Sequence, residues 1–210
     1  MNTIQEKSEQ GPHRPATVAR HHDLHDRLVA AAEAAMATAG LASLRARALA
    51  DAAGCSVGAI YGVFPDLDAL ALAVNGRTLD AIDAAMGKVA PGGDPVEHLV
   101  QLALSYLGYA ASNRQRWTAL FQHRMAEGQP IPPSYAARQA AAFSHVEQPL
   151  AALRPDLPDE QRSLLARTLF SAVHGVVALG LDEKVAAMPV AVLGAQLRTV
   201  VEAMARGLAR

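Results

Sequence analysis

The sequence predicts an all-helical protein. Three observations carry that prediction: 51% of the residues are hydrophobic but only 4% aromatic, alanine recurs throughout, and apolar positions repeat at helical spacing with few Val-Ile-Thr-Tyr clusters. A chain of 210 residues can bury a core without disulfide or metal. The single cysteine, Cys55, cannot form an intrachain disulfide and suits a reducing compartment. No apolar leader opens the chain, and the longest uncharged apolar runs, Leu99–Asn113 and Thr168–Leu181, fall short of a bilayer span, so a soluble, cytoplasmic protein without membrane contact is expected.

Residues 1–22 are polar, contain Gly11, Pro12 and Pro15, and lack an apolar period, which predicts a disordered tail. Asp23 can cap a first helix whose face is Leu24, Leu28, Ala31, Ala32, Ala35 and Met36, ending at Gly40. In the next stretch, LRARALADAAGCSVGAIYGVF, Leu44, Ala48, Leu49, Ala52 and Ala53 mark a second helix. Gly54 stops it, since a glycine there adopts the left-handed conformation without a Cβ penalty. Ser56 can cap a third helix with Ile60 and Phe64 turned inward. Two short helices around a tight glycine turn are the sequence form of a helix-turn-helix.

Asp66 caps a fourth helix with a stripe of Leu70, Val74, Ile82 and Met86, running toward the break at Pro91–Pro95. A rod of that length is shared by a small head and a larger body. Val96–Ala111 is apolar nearly all round and reads as a helix buried on every side. Arg114–Ala126 carries Trp117, Leu120, Phe121, Arg124 and Met125 at helical spacing, and Gly128–Ser134 is a proline-rich loop. Ala136–Leu153 is helical, with Pro149 expected to kink it or end it early. Two apolar helices close the chain, Pro158–Leu181 and Val190–Leu208. Their stripes, represented by Leu165, Leu169, Ala172, Val176, Leu193, Leu197, Val200, Val201 and Met204, exceed what one small body must bury, so a two-fold dimer built on them is expected; the alternative is that they complete a monomer's core.

The series Gly54, Ser56, Gly58, Ala59, Ile60, Tyr61 and Phe64 resembles the helix-turn-helix of TetR/AcrR-type transcriptional regulators, and the likeness runs from AAEAAMATAG to FPDLDAL. WTALFQHRM and SAVHGVVAL resemble the regulatory half of a subgroup with a Trp followed by a His-Gly pair. The resemblance implies an all-α, TetR-like fold. Its parts would be a tail at 1–22, a three-helix DNA-binding head at 23–70, and a ligand-binding and dimerisation body at 71–210. It implies a homodimer that binds a double-stranded DNA operator and responds to a small, largely apolar effector, most simply as a repressor.

For DNA, the exposed side of the third helix offers Ser56, Val57, Gly58, Ala59, Tyr61 and Gly62. At the matching family position the tyrosine bonds a phosphate, while Val57 and Ala59 suit thymine methyls. Arg47 is placed for a base or phosphate and Arg45 for phosphate. Arg14 and Arg20 belong either to a solvated tail or to an arm touching the minor groove. The family's frequent lysine at the start of the fourth helix is Leu67 here, its usual His or Tyr is Val63, and its usual Val is Cys55. With a net charge of −1, the chain is no strongly basic, nonspecific nucleic-acid binder.

For a ligand, the body supplies Tyr106, Tyr109, Trp117, Phe121, His123, Met125, Phe143, Phe170 and His174, an aromatic and polarizable set suited to an apolar molecule or to a packed core. The sequence contains no phosphate loop, HExxH or CxxC, so neither catalysis nor a cofactor is expected. His21, His22 and His25 have metal-like spacing but read as solvated. The competing function is a helical ligand-binding protein or small enzyme on the same scaffold, with His174 or His123 at work and DNA binding weak or lost.

Overall fold

The structure, a computed structural model, describes residues 13–125, 128–185 and 187–208, with side chains from residue 18 onward. Among the described residues it is entirely helical: α1 (His13–Ala39), a 3₁₀ turn (Leu41–Ser43), α2 (Ala46–Ala53), α3 (Val57–Val63), α4 (Leu67–Met86), α5 (Pro95–Ser112), α6 (Arg114–Gln122), α7 (Pro133–Leu153), α8 (Asp159–Leu181) and α9 (Val190–Leu208).

The first helix corrects one expectation. It begins at His13 rather than at Asp23, so the segment read as tail is helical from there, and residues 1–12 of that tail lie outside the described residues. Pro15 does not prevent this, because the missing N–H of a proline in a first turn would have had no helical partner. Leu28, Val29, Ala32 and Met36 are buried and form one wall of the head.

Around the tight turn the local chemistry follows the sequence. Gly54 sits at φ 64°, ψ 44°, its N–H meets Asp51 O at 3.2 Å and the Cys55 N–H meets Ala50 O at 2.9 Å, closing α2 in a left-handed cap. Ser56 Oγ accepts the Ala59 N–H at 3.2 Å to open α3, and Asp66 accepts from Ala69 N at 2.7 Å to open α4. Arg27 of α1 donates to Ala53 O at 2.6 Å, so this basic residue is occupied inside the head, holding the last turn of α2.

α4 is the shared rod. Leu70, Ala71 and Val74 join the head core with Leu28, Met36, Leu49 and Ile60, whereas Ile82 and Met86 join the body core with Val100, Leu102, Tyr106 and Leu197. Between the two cores the rod turns polar. Asn75 and Thr78 are fully buried, and Arg116 of α6 bonds Glu33 of α1 at 2.7 Å and Thr78 Oγ1 at 3.3 Å, with Arg77 on Glu33 at 3.1 Å.

Body helices depart from the sequence reading in several places. α5 is not buried on every side: Gln101 and Gly108 face solvent. α6 ends at Gln122 instead of Ala126, and α7 begins at Pro133 and continues past the buried Pro149 to Leu153. α8 has the length and hydropathy of a membrane span, contrary to the estimate from its uncharged stretch alone, and its Leu169, Val173 and Val177 are packed in the body core.

The residues expected to pair two subunits need the clearest correction. Leu169, Leu193, Leu197 and Val201 are buried in their own chain's core, and Leu165, Val176 and Met204 pack partly against it. Ala172 and Val200 are half-buried. The cause is supply: the chain's own body consumes the stripe that α8 and α9 present. Gly180 shows how closely the two helices meet, since a Cβ there would lie 2.5 Å from a Leu193 methyl. The opposite side remains open, with Leu164 (65% exposed), Leu179 (56%) and Val192 (48%) standing beside Thr168, Ser171, Gln196, Thr199 and Ala203.

Candidate nucleic-acid interface and body cavity

Ile60 is fully buried and Phe64 nearly so, which fixes the rotation of α3. The consequence is that Ser56, Val57, Gly58, Tyr61 and Gly62 face solvent, with Tyr61 50% exposed, while Ala59 is half-buried. Arg47 is exposed in the first turn of α2. Arg45 lies just outside that helix at its N-cap, exposed, with a long contact to Leu44 O at 3.4 Å. Neither makes an ion pair among the described residues. Cys55, Val63 and Leu67, the three departures from the resembled pattern, all pack against the head core, so apolar contact is what they contribute.

In the body, α4, α5, α6, α7, α8 and α9 all line an apolar cavity of about 200 Å³. Of the aromatic set, Tyr106, Phe121, Phe143 and Phe170 line it. Phe170 is its hub, meeting Tyr106 edge-on at 5.4 Å and Phe143 edge-on at 5.3 Å. Gln139 and Tyr135 of α7 bring the wall's amide and a phenol, and burial raises the pKa of that phenol. Trp117 and His174 stand behind the wall. The Trp117 indole donates to Tyr106 Oη at 2.9 Å, and Tyr106 Oη lies 2.9 Å from His174 Nδ1. Burial raises the pKa of Tyr106 and lowers that of His174, so both are held neutral.

The other sequence candidates lie elsewhere. Tyr109 points to the polar layer beside α4, near Thr78 and Arg116, and burial raises its pKa. His123 follows α6, with Nε2 3.9 Å from Asp68 of α4. Met125 is half-buried in the loop and lines no part of the cavity. Sequence reasoning missed Leu79, Ile82 and Met86 of α4, Ala142 and Val146 of α7 and Val173 of α8 as wall residues, and it placed Leu169, Val201 and Met204 in a subunit interface although they line the cavity. Their helical spacing signals only that they face inward. Whether inward means packed or hollow is set by how the helices meet.

A helix-turn-helix with an outward second helix, mounted by a shared rod on a separate helical body, defines a DNA-binding transcriptional regulator. The family model described as "Bacterial regulatory proteins, tetR family" matches residues 28–74, and that described as "Tetracyclin repressor-like, C-terminal domain" matches residues 99–204. The chain belongs to the TetR family of transcriptional regulators. Similar folds include a protein of unknown function from Rhodococcus sp. RHA1, with 20% identity and a TM-score of 0.70 over 98% of this chain and 100% of that one. A tetR-family regulator from Streptomyces coelicolor has 20% identity and a TM-score of 0.64 over 90% and 87%. RolR, solved in complex with resorcinol, has 16% identity and a TM-score of 0.64 over 91% and 95%. No curated protein sequence matches the chain.

Proposed function

We propose that the protein is a homodimeric, cytoplasmic repressor that leaves its operator when a small, largely apolar molecule occupies the body cavity. One observation carries the reading: α4 is at once a wall of the cavity, through Leu79, Ile82 and Met86, and a part of the head core, where Leu70 and Val74 join Leu28 and Met36 of α1, the helix that packs against both α4 and α3. A molecule that favours one cavity shape over another therefore biases the position of the head, which is the differential affinity a ligand switch requires. The ligand seen in RolR supports a small cyclic molecule as effector.

Tyr61 and Arg45 contact phosphates, Arg47 a base or phosphate, and Val57, Gly58, Ala59 and Gly62 meet the groove floor, with two α3 helices entering major grooves about 34 Å apart. The subunits pair through the exposed side of α8 and α9, centred on Leu164, Leu179 and Val192 rather than on the buried stripe. Gel shifts on DNA from the protein's own promoter region test this. Tyr61→Ala and Arg47→Ala each weaken binding about tenfold or more and leave the fold intact, and Leu179→Glu converts a dimer to a monomer in sedimentation. Binding indifferent to both head substitutions overturns the assignment and favours a ligand-binding protein without operator recognition.

A further inference from the structure

A second, open groove of about 720 Å³ lies between α6 and the C-terminal half of α8, and only Phe121 lines both it and the internal cavity. Its floor includes His174 and Trp117, and its rim carries Arg114, Gln115, Gln122, Asp182, Glu183 and Lys184.

The hydrogen-bond chain beneath it determines where the histidine's proton sits. An indole N–H can only donate, so Tyr106 Oη accepts from Trp117 at 2.9 Å. Tyr106 is 3% exposed, and the acceptor its own proton can reach among the described residues is His174 Nδ1, at 2.9 Å. The reverse arrangement, with Nδ1–H donating to Tyr106, would leave a buried hydroxyl proton without an acceptor. His174 is therefore the tautomer with its proton on Nε2, and that N–H has no partner among the described residues.

We propose that this groove is a ligand subsite in which His174 Nε2–H donates to the carbonyl of a neutral, flat aromatic molecule. The ring centroids of Phe121 and Trp117 lie 4.1 Å and 5.2 Å from that of His174, and Phe121 is 42% exposed at the mouth, which gives a planar ring an aromatic wall to lie against. The rim selects against an anion. Arg114 is tied to Glu183 at 3.0 Å and to the Leu181 carbonyl, Asp182 accepts the Lys184 backbone N–H at 2.8 Å, and the rim's two acidic and two basic side chains sum to zero charge. The subsite stands independently of the operator-binding reading.

The test uses the full-length, ¹⁵N-labelled protein and two probes, acetophenone and ethylbenzene, which share a ring and differ in the carbonyl. Trp117 is the chain's only tryptophan, so its indole N–H resonance reports the groove without ambiguity. In the free protein the His174 ring nitrogens report Nε2 protonated. Acetophenone moves the Trp117 and His174 Nε2 resonances saturably, and ethylbenzene binds about tenfold more weakly, the effect of one hydrogen bond. Ala178→Phe, which plugs the groove without adding a second indole, and His174→Phe both abolish that preference, while Ala142→Phe, which fills the internal cavity, preserves it. A ring protonated at Nδ1, equal response to both probes, or a preference lost in Ala142→Phe and kept in Ala178→Phe overturns the proposal.

Discussion

The head and the body are built from the same kind of amphipathic helix, yet one is solid and the other hollow. In the head, small side chains such as Ala32, Ala50 and Ala53 let α1, α2 and α3 close on Leu28, Met36, Leu49 and Ile60. In the body, Phe143, Phe170 and Tyr106 line open volume between the helices. The lesson is that side-chain size at the inward positions, more than their spacing, decides whether a helical core packs or encloses. Between the two lies a polar layer, where Glu33, Arg116 and Thr78 link α1, α6 and α4 by directional bonds. A layer of this kind lets the two cores respond to different demands while remaining attached.

The largest expected effect breaks the solid side. Ile60→Ala removes a fully buried side chain from the head and costs about 2–5 kcal/mol in urea unfolding, whereas Phe143→Ala, already facing empty space, costs less than about 2 kcal/mol. Equal losses would show that the cavity is closed in solution. In the polar layer, Glu33→Gln leaves the mostly buried Arg116 guanidinium without its carboxylate and costs about 1–3 kcal/mol, read in the same assay.

A smaller effect sharpens the comparison through pH. His174 and His98, both in the body, are pulled below their ordinary value of 6.5 by burial, and His98 also by the nearby His145. Below pH 6.5 the unfolded chain therefore takes up protons that the folded chain resists, so stability falls as pH drops from 7.5 to 5.5. Thermal melts across that range record a declining midpoint, with a shallower decline in His98→Phe. The smallest effect on stability belongs to the exposed α3 face: Tyr61→Phe stays within about 0.5 kcal/mol of the parent in unfolding, and its consequence is confined to DNA affinity.

Much of the fold was legible. The caps at Ser56 and Asp66, the stop at Gly54 and the shared rod all rest on interactions within a few residues, and the structure contains each of them. The cavity was legible only in part. Tyr106, Phe121, Phe143 and Phe170 could be named because aromatic side chains are conspicuous, while Leu79, Ala142 and Val173 look like any core residue. Tyr109 and His123 share the body's aromatic character, but the phase of α5 turns Tyr109 toward α4, and His123, just past the end of α6, lies beside Asp68 of α4.

The sequence alone determined the caps at Ser56 and Asp66, the stop at Gly54 and the outward turn of Tyr61, because each follows from chemistry between neighbours along the chain. Tertiary structure decided which apolar stripe a helix spends on its own core. Leu193 and Leu197 were taken inward where Gly180 lets α8 and α9 meet, leaving Leu164, Leu179 and Val192 outside. Spacing repeats identically on every apolar face of a helix, and only the position of the neighbouring helices distinguishes a buried face from an offered one.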